Sequence, residues 1–123
     1  MAHRILYVED NFENRLFVRR VLESMGLEMI EAEDGLAGIE IAQAENPDLI
    51  LMDVGLPGMD GLETTAKLRD IPVVNRIPII ALTANAMKGD RERCLAAGCD
   101  GYLQKPIGVN DLREQVSRFL ASN

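Results

Sequence analysis

The chain has 123 residues, 47% of them apolar and 27% charged, with a net charge of −7 and no tryptophan. That length is one ordinary domain, able to bury enough surface to fold without disulfides or a structural metal. No basic face is available to neutralise a nucleic-acid backbone or to seek an anionic membrane, so direct binding to either is excluded from the expectation. Cys94 and Cys99 lack metal-ligand or redox spacing and read as small buried residues. No signal peptide or membrane span is visible, which makes the cytoplasm the default compartment.

Short apolar runs alternate with longer amphipathic segments. Ile5-Leu6-Tyr7-Val8 predicts a buried strand. A helix follows near Phe12 to Met25, capped by Asn11 and stopped by Gly26, with Leu16, Val21, Leu22 and Met25 inward. Glu28 to Ala32 is a weaker strand, and Asp34 caps a helix to about Glu45 with Leu36, Ile39 and Ala42 inward. Leu49-Ile50-Leu51-Met52 has the look of a strand covered on both faces. Turn residues from Leu56 to Gly61 lead into a helix from about Leu62 to Arg69. Pro72 and Pro78 bracket a loop before the strand Ile79 to Leu82. Ala86 to Ala97 predicts a poorly amphipathic helix interrupted by Gly89 and ended by Gly98. Gly101 to Leu103 forms a short strand, and Val109, Leu112, Val116, Phe119 and Leu120 mark a last helix.

This β-α order, repeated five times, implies a doubly wound parallel sheet with helices on both faces. The whole of residues 1–123 reads as one domain, with no linker and no output domain. Met1 standing just before the first strand points to a complete single-domain protein, the alternative being a domain cut from a larger one.

Ligands of such sheets bind beyond the carboxyl ends of the strands. The first strand runs into Glu9-Asp10, the third into Asp53, the fourth into Thr83-Ala84 and the fifth into Gln104-Lys105-Pro106. Three carboxylates, a hydroxyl and an ammonium thus converge on one edge. Two carboxylates 4 Å apart repel by about 4 kcal/mol at an effective dielectric near 20, so the cluster needs a cation or a retained proton. Hard oxygen ligands suit Mg²⁺. A metal there, Lys105 and the Thr83 hydroxyl would meet the oxygens of a phosphoryl group, with Asp53 as the nucleophile. Taken singly, each residue is also explained as a cap, a turn former or an exposed charge; the convergence favours the chemical reading.

The pieces Val8-Glu9-Asp10-Asn11, Leu51 to Gly61, Ala81-Leu82-Thr83-Ala84 and Gly101 to Pro106 together resemble the receiver domain of two-component response regulators. The resemblance spans essentially the whole chain. It implies a flavodoxin-like (βα)5 fold with strand order 2-1-3-4-5. It also implies Asp53 as phosphoacceptor, Asp10 as direct Mg²⁺ ligand, Glu9 acting through metal-bound water, and the Gly55 backbone carbonyl completing the metal site. Thr83, the Ala84 amide and Lys105 would contact the phosphoryl group, the Lys105-Pro106 bond would be cis, and Tyr102 would change rotamer with Thr83. The phosphoryl donor would be a histidine kinase or histidine phosphotransfer protein, docking on the first helix near Asn14, Arg15 and Val18. Phosphorylation would shift the surface around residues 84–107, and a downstream protein would bind the segment 86–97, the fifth strand and the last helix. The domain would be no enzyme beyond catalysing its own phosphorylation and dephosphorylation. Gly55, where relatives carry a larger residue, would leave the phosphoryl group open to water, and Asn85 lies near the expected water path.

Three other readings fit less well. A haloacid-dehalogenase-type phosphatase needs a second acid at position 55. A flavin or nucleotide domain needs a glycine-rich loop after the first strand. A pseudo-receiver would not keep the full set of five groups.

Overall fold

Five strands alternate with five helices along the chain. They are β1 (Arg4–Val8), α1 (Phe12–Ser24), β2 (Glu28–Ala32), α2 (Gly35–Glu45), β3 (Leu49–Asp53), α3 (Gly61–Arg69), β4 (Ile79–Thr83), α4 (Asp90–Ala97), β5 (Gly101–Gln104) and α5 (Val109–Ala121). The computed structural model describes residues 2–84 and 89–121. The sheet is parallel throughout, in the order β2-β1-β3-β4-β5. This is the flavodoxin-like arrangement expected.

Alternation along each strand divides the core in two. Leu6, Val8, Ile50, Met52, Ile79 and Ala81 face the side covered by α2, α3 and α4. Ile5, Tyr7, Leu49, Leu51, Ile80 and Leu82 face α1 and α5, meeting Val18, Leu22, Leu112 and Val116. Both faces being covered explains why β3 and β4 read as unbroken apolar runs.

The helices begin where side-chain caps allow. Asn11, Asp34 and Asp60 each accept the N–H three residues on, at 2.8, 2.8 and 2.9 Å. Gly26, Gly89 and Gly98 adopt positive φ at helix boundaries.

Several expectations shift. The fourth helix begins at Asp90, and Gly89 precedes it as its left-handed N-cap instead of interrupting it. Residues 85–88, which include Asn85 and the first part of the expected helix, lie outside the described residues. Leu36 is 66% exposed. The buried positions of α2 are Gly35, Gly38 and Ala42; a Cβ on Gly38 would stand 2.9 Å from a Val8 methyl. That helix sits so close to the sheet that small residues take the inward face. On α1 the inward residues are Arg15, Val18, Val21 and Leu22, so Leu16 is only half-buried and Val18, expected near a docking surface, lies in the core.

Candidate functional site

The carboxyl ends of β1, β3, β4 and β5 meet at a cleft of about 390 Å³. Its lining includes Glu9, Asp10, Asp53, Gly55, Thr83, Ala84 and Lys105. Every candidate drawn from the strand ends therefore reaches one place. Tyr102 stands apart, half-buried on β5.

Glu9, Asp10 and Asp53 offer carboxylate oxygens within 4.8 Å of one another. Glu9 and Asp53 are buried and Asp10 is exposed. The Lys105 ammonium donates to Glu9 Oε1 at 2.8 Å and lies 3.1 Å from Asp53 Oδ1. The Gly55 N–H also donates to Asp53 Oδ1, at 3.2 Å. The Lys105-Pro106 peptide is cis, as expected.

Two buried acids beside one ammonium cannot both ionise freely. Burial, then the hydrogen bond and negative charge of Glu9, push Asp53 up to about 6, against the pull of Lys105. Burial also works to raise Glu9, but its hydrogen bonds with Asp53, Lys105 and Asn14 prevail and hold it at about 2. Of the two, Asp53 is the one that takes up a proton first as the pH falls. The asymmetry has a plain cause: Glu9 Oε1 also accepts from the Tyr7 hydroxyl and the Asn14 amide, both at 3.0 Å. Burial opposes the Lys105 charge, but Glu9 and Asp53 outweigh it and raise its pKa.

A cluster of hard oxygens whose mutual repulsion raises the affinity of one of them for a proton is suited to a small divalent cation. Glu9, Asp10 and Asp53 are side chains that could together hold a metal ion.

Thr83 is buried at the end of β4. By strand alternation it shares the α4 side of the sheet with Ala81, while Asp53 shares the α1 and α5 side with Leu51. Tyr102 packs on the α4 side too, and its hydroxyl donates to the buried Asp90 Oδ2 at 3.3 Å.

Three polar residues escaped the sequence reading. Tyr7 looked like core and Asn14 and Arg15 like surface, yet all three bond Glu9. Arg15, only 9% exposed, donates through Nη1 to the Glu9 carbonyl at 2.8 Å. Their distances from Glu9 in sequence, −2, +5 and +6, carry no motif; a strand turning into a helix brings them together.

A parallel sheet with an acid triad, a lysine and a threonine at one edge defines a phosphoryl-accepting signalling domain of doubly wound topology. Residues 5–117 match the response regulator receiver domain, and the chain belongs to that family, the receiver of two-component phosphorelays. It is 42% identical over 120 residues to the polar-differentiation response regulator DivK of Brucella ovis, covering 98% of each chain. Among solved structures it is similar to the receiver domain of sensor histidine kinase PA1611 from Pseudomonas aeruginosa, which has a magnesium ion coordinated in its active site cleft. That match has 40% identity and a TM-score of 0.90 over 98% of this chain and 99% of the other. It is also similar to the receiver domain of Saccharomyces cerevisiae Ssk1, solved with the histidine phosphotransfer protein Ypd1. Here identity is 27% and the TM-score 0.91, over 98% and 90% of the two chains. No helix among the described residues is long and apolar enough to cross a membrane.

Proposed function

We propose that Asp53 is the phosphoacceptor of this receiver and that the transfer requires Mg²⁺. The observation that carries the reading is the Asp53 carboxylate, buried, 3.1 Å from the Lys105 ammonium and grouped with Glu9 and Asp10. An oxygen of Asp53 attacks the phosphorus of a phosphohistidine. The P–N bond breaks, the imidazole keeps the electron pair and takes up a proton, and an acyl phosphate forms on Asp53. Asp10, Asp53 and the Gly55 carbonyl would hold Mg²⁺ directly and Glu9 through its bound water; the ion would supply positive charge for the phosphoryl oxygens. Lys105 neutralises one phosphoryl oxygen, and the Thr83 hydroxyl and Ala84 N–H donate to another. The catalysis is confined to the domain's own phosphorylation and dephosphorylation.

The donor is a histidine kinase or histidine phosphotransfer protein, as the phosphotransfer complex of the Ssk1 receiver supports. Once the phosphoryl group is in place, Thr83 draws toward it, and the arrangement of Tyr102 and α4 changes population. A downstream protein reads that change on α4, β5 and α5 in the cytoplasm.

The test is exposure to acetyl phosphate with and without Mg²⁺, followed by intact mass. The expected result is a single phosphate adduct that needs Mg²⁺ and vanishes in Asp53→Asn. An adduct that persists in Asp53→Asn, or none in the parent protein, defeats the assignment.

A further inference from the structure

We propose that Asn14 and Arg15 are positioning residues that hold Glu9 in the geometry required by the Mg²⁺ site; this deepens the reading above and rests on it. Glu9 is held at its N–H, its carbonyl and one carboxylate oxygen. Its N–H donates to the Ala32 carbonyl of β2 at 2.9 Å. Its carbonyl accepts from Arg15 Nη1 at 2.8 Å. Its Oε1 accepts from Asn14 Nδ2, the Tyr7 hydroxyl and Lys105 Nζ, at 3.0, 3.0 and 2.8 Å. Three donors saturate that oxygen. Oε2 meets the Asn11 N–H only at a long 3.5 Å, and the neighbouring acid, Asp53, bonds the same carboxyl group, so Oε2 is the oxygen less held by donors and better placed for a cation or its water.

The grip comes from the first turns of α1. Asn14 and Arg15 are successive residues there, one taking the Glu9 side chain and the other its backbone. Arg15 is itself fixed from outside the site: Nε donates to Glu31 Oε1 at 3.2 Å, Nη2 lies 3.9 Å from Glu33, and the guanidinium stands over the Phe12 ring at 5.9 Å. Partners of metal ligands tune affinity because they fix the ligand's rotamer before the ion arrives.

Two physical roles give opposite signs for Arg15. If it served only as a positive charge beside the acids, its loss would strengthen Mg²⁺ binding, since less like charge would oppose the ion. As a positioning residue, its loss weakens binding. Asn14 carries no charge, so its removal tests the hold on Glu9 without taking a cation's charge from the site; losing a competing donor alone would favour the ion, whereas losing the positioning weakens it.

The experiment is Mg²⁺ titration by calorimetry of the intact chain, the parent beside Asn14→Ala, Arg15→Met and Arg15→Lys, with thermal unfolding of each in metal-free buffer. Asn14→Ala and Arg15→Met should each weaken Mg²⁺ about tenfold or more. Arg15→Lys, which keeps a donor for the Glu9 carbonyl, should recover part of the loss. Phosphate adduct formation should fall at limiting Mg²⁺ and return toward the parent level at saturating Mg²⁺. A lowered melting temperature with Mg²⁺ affinity within twofold of the parent would overturn the proposal, as would tighter binding in Arg15→Met. Should Arg15→Met not fold, the half-exposed Asn14 decides the question. A parent protein that fails to bind Mg²⁺ defeats the phosphoacceptor reading itself, whereas unchanged variants beside a binding parent defeat only the positioning role.

Discussion

At Asp53 a proton would compete with any metal ion for the same oxygens. Its carboxyl is raised to about 6, so in metal-free protein it holds a proton through the mildly acid range. The folded state then binds more protons than the unfolded chain between about pH 4 and 6, and this group's contribution to stability is lost as pH rises through that window. Glu9, held at about 2, acts in the opposite sense, and its contribution is lost as pH falls from the ordinary carboxylate range. An Mg²⁺ ion held there would have to displace that proton wherever it is bound. Its apparent affinity should therefore drop by severalfold or more between pH 7.5 and 5.5, and calorimetry at several pH values checks it. Gly55 makes a second prediction at this scale. Among the described residues, a Cβ there would meet only Asp53 Oδ1, at 3.9 Å, an ordinary contact. Gly55→Met should fit without strain, shield the phosphoryl group from water and slow dephosphorylation severalfold. An unchanged or faster rate counts against the idea.

Helix α3 is bound to the site by a glycine. A Cβ on Gly61 would collide with the Asp53 carbonyl, so the helix that follows the acceptor strand starts against that strand's own backbone. Gly61→Ala should cost about 2 kcal/mol or more, as forced overpacking against backbone does, measured by urea unfolding. The helix cap is a milder case: Asp60→Ala, which removes the acceptor for the Glu63 N–H, should cost about 1 kcal/mol. Elements are also where reading from sequence succeeded and failed for identifiable reasons. Strand β2 and helix α1 were legible to within a residue because turn and cap residues bound them. Leu36 was misplaced because hydrophobicity alone assigned it inward, whereas the close approach of α2 to Val8 selects Gly38 and Ala42. The five groups at the sheet edge were legible because strand ends project them to one place. Asn14 and Arg15 were not, since a polar residue on a helix shows in sequence neither its burial nor its partner.

For the molecule as a whole, binding at the sheet edge should feed into stability. An ion that binds the folded chain alone adds about 2.7 kcal/mol when present at 100 times its dissociation constant. Thermal unfolding should shift upward on adding Mg²⁺ and return on adding a chelator. Asp53→Asn, one carboxylate short, should show a smaller shift; an equal shift would mean that the ion sits elsewhere.

The sheet also acts as a partition. Glu9 and Asp53 stand on the α1 and α5 side by strand alternation, whereas Thr83 and Tyr102 stand on the α4 side. The strand ends are where the two walls come together, since Glu9, Asp53 and Thr83 line one cleft there. A disturbance on either side of the sheet has its shortest path to the other at that rim.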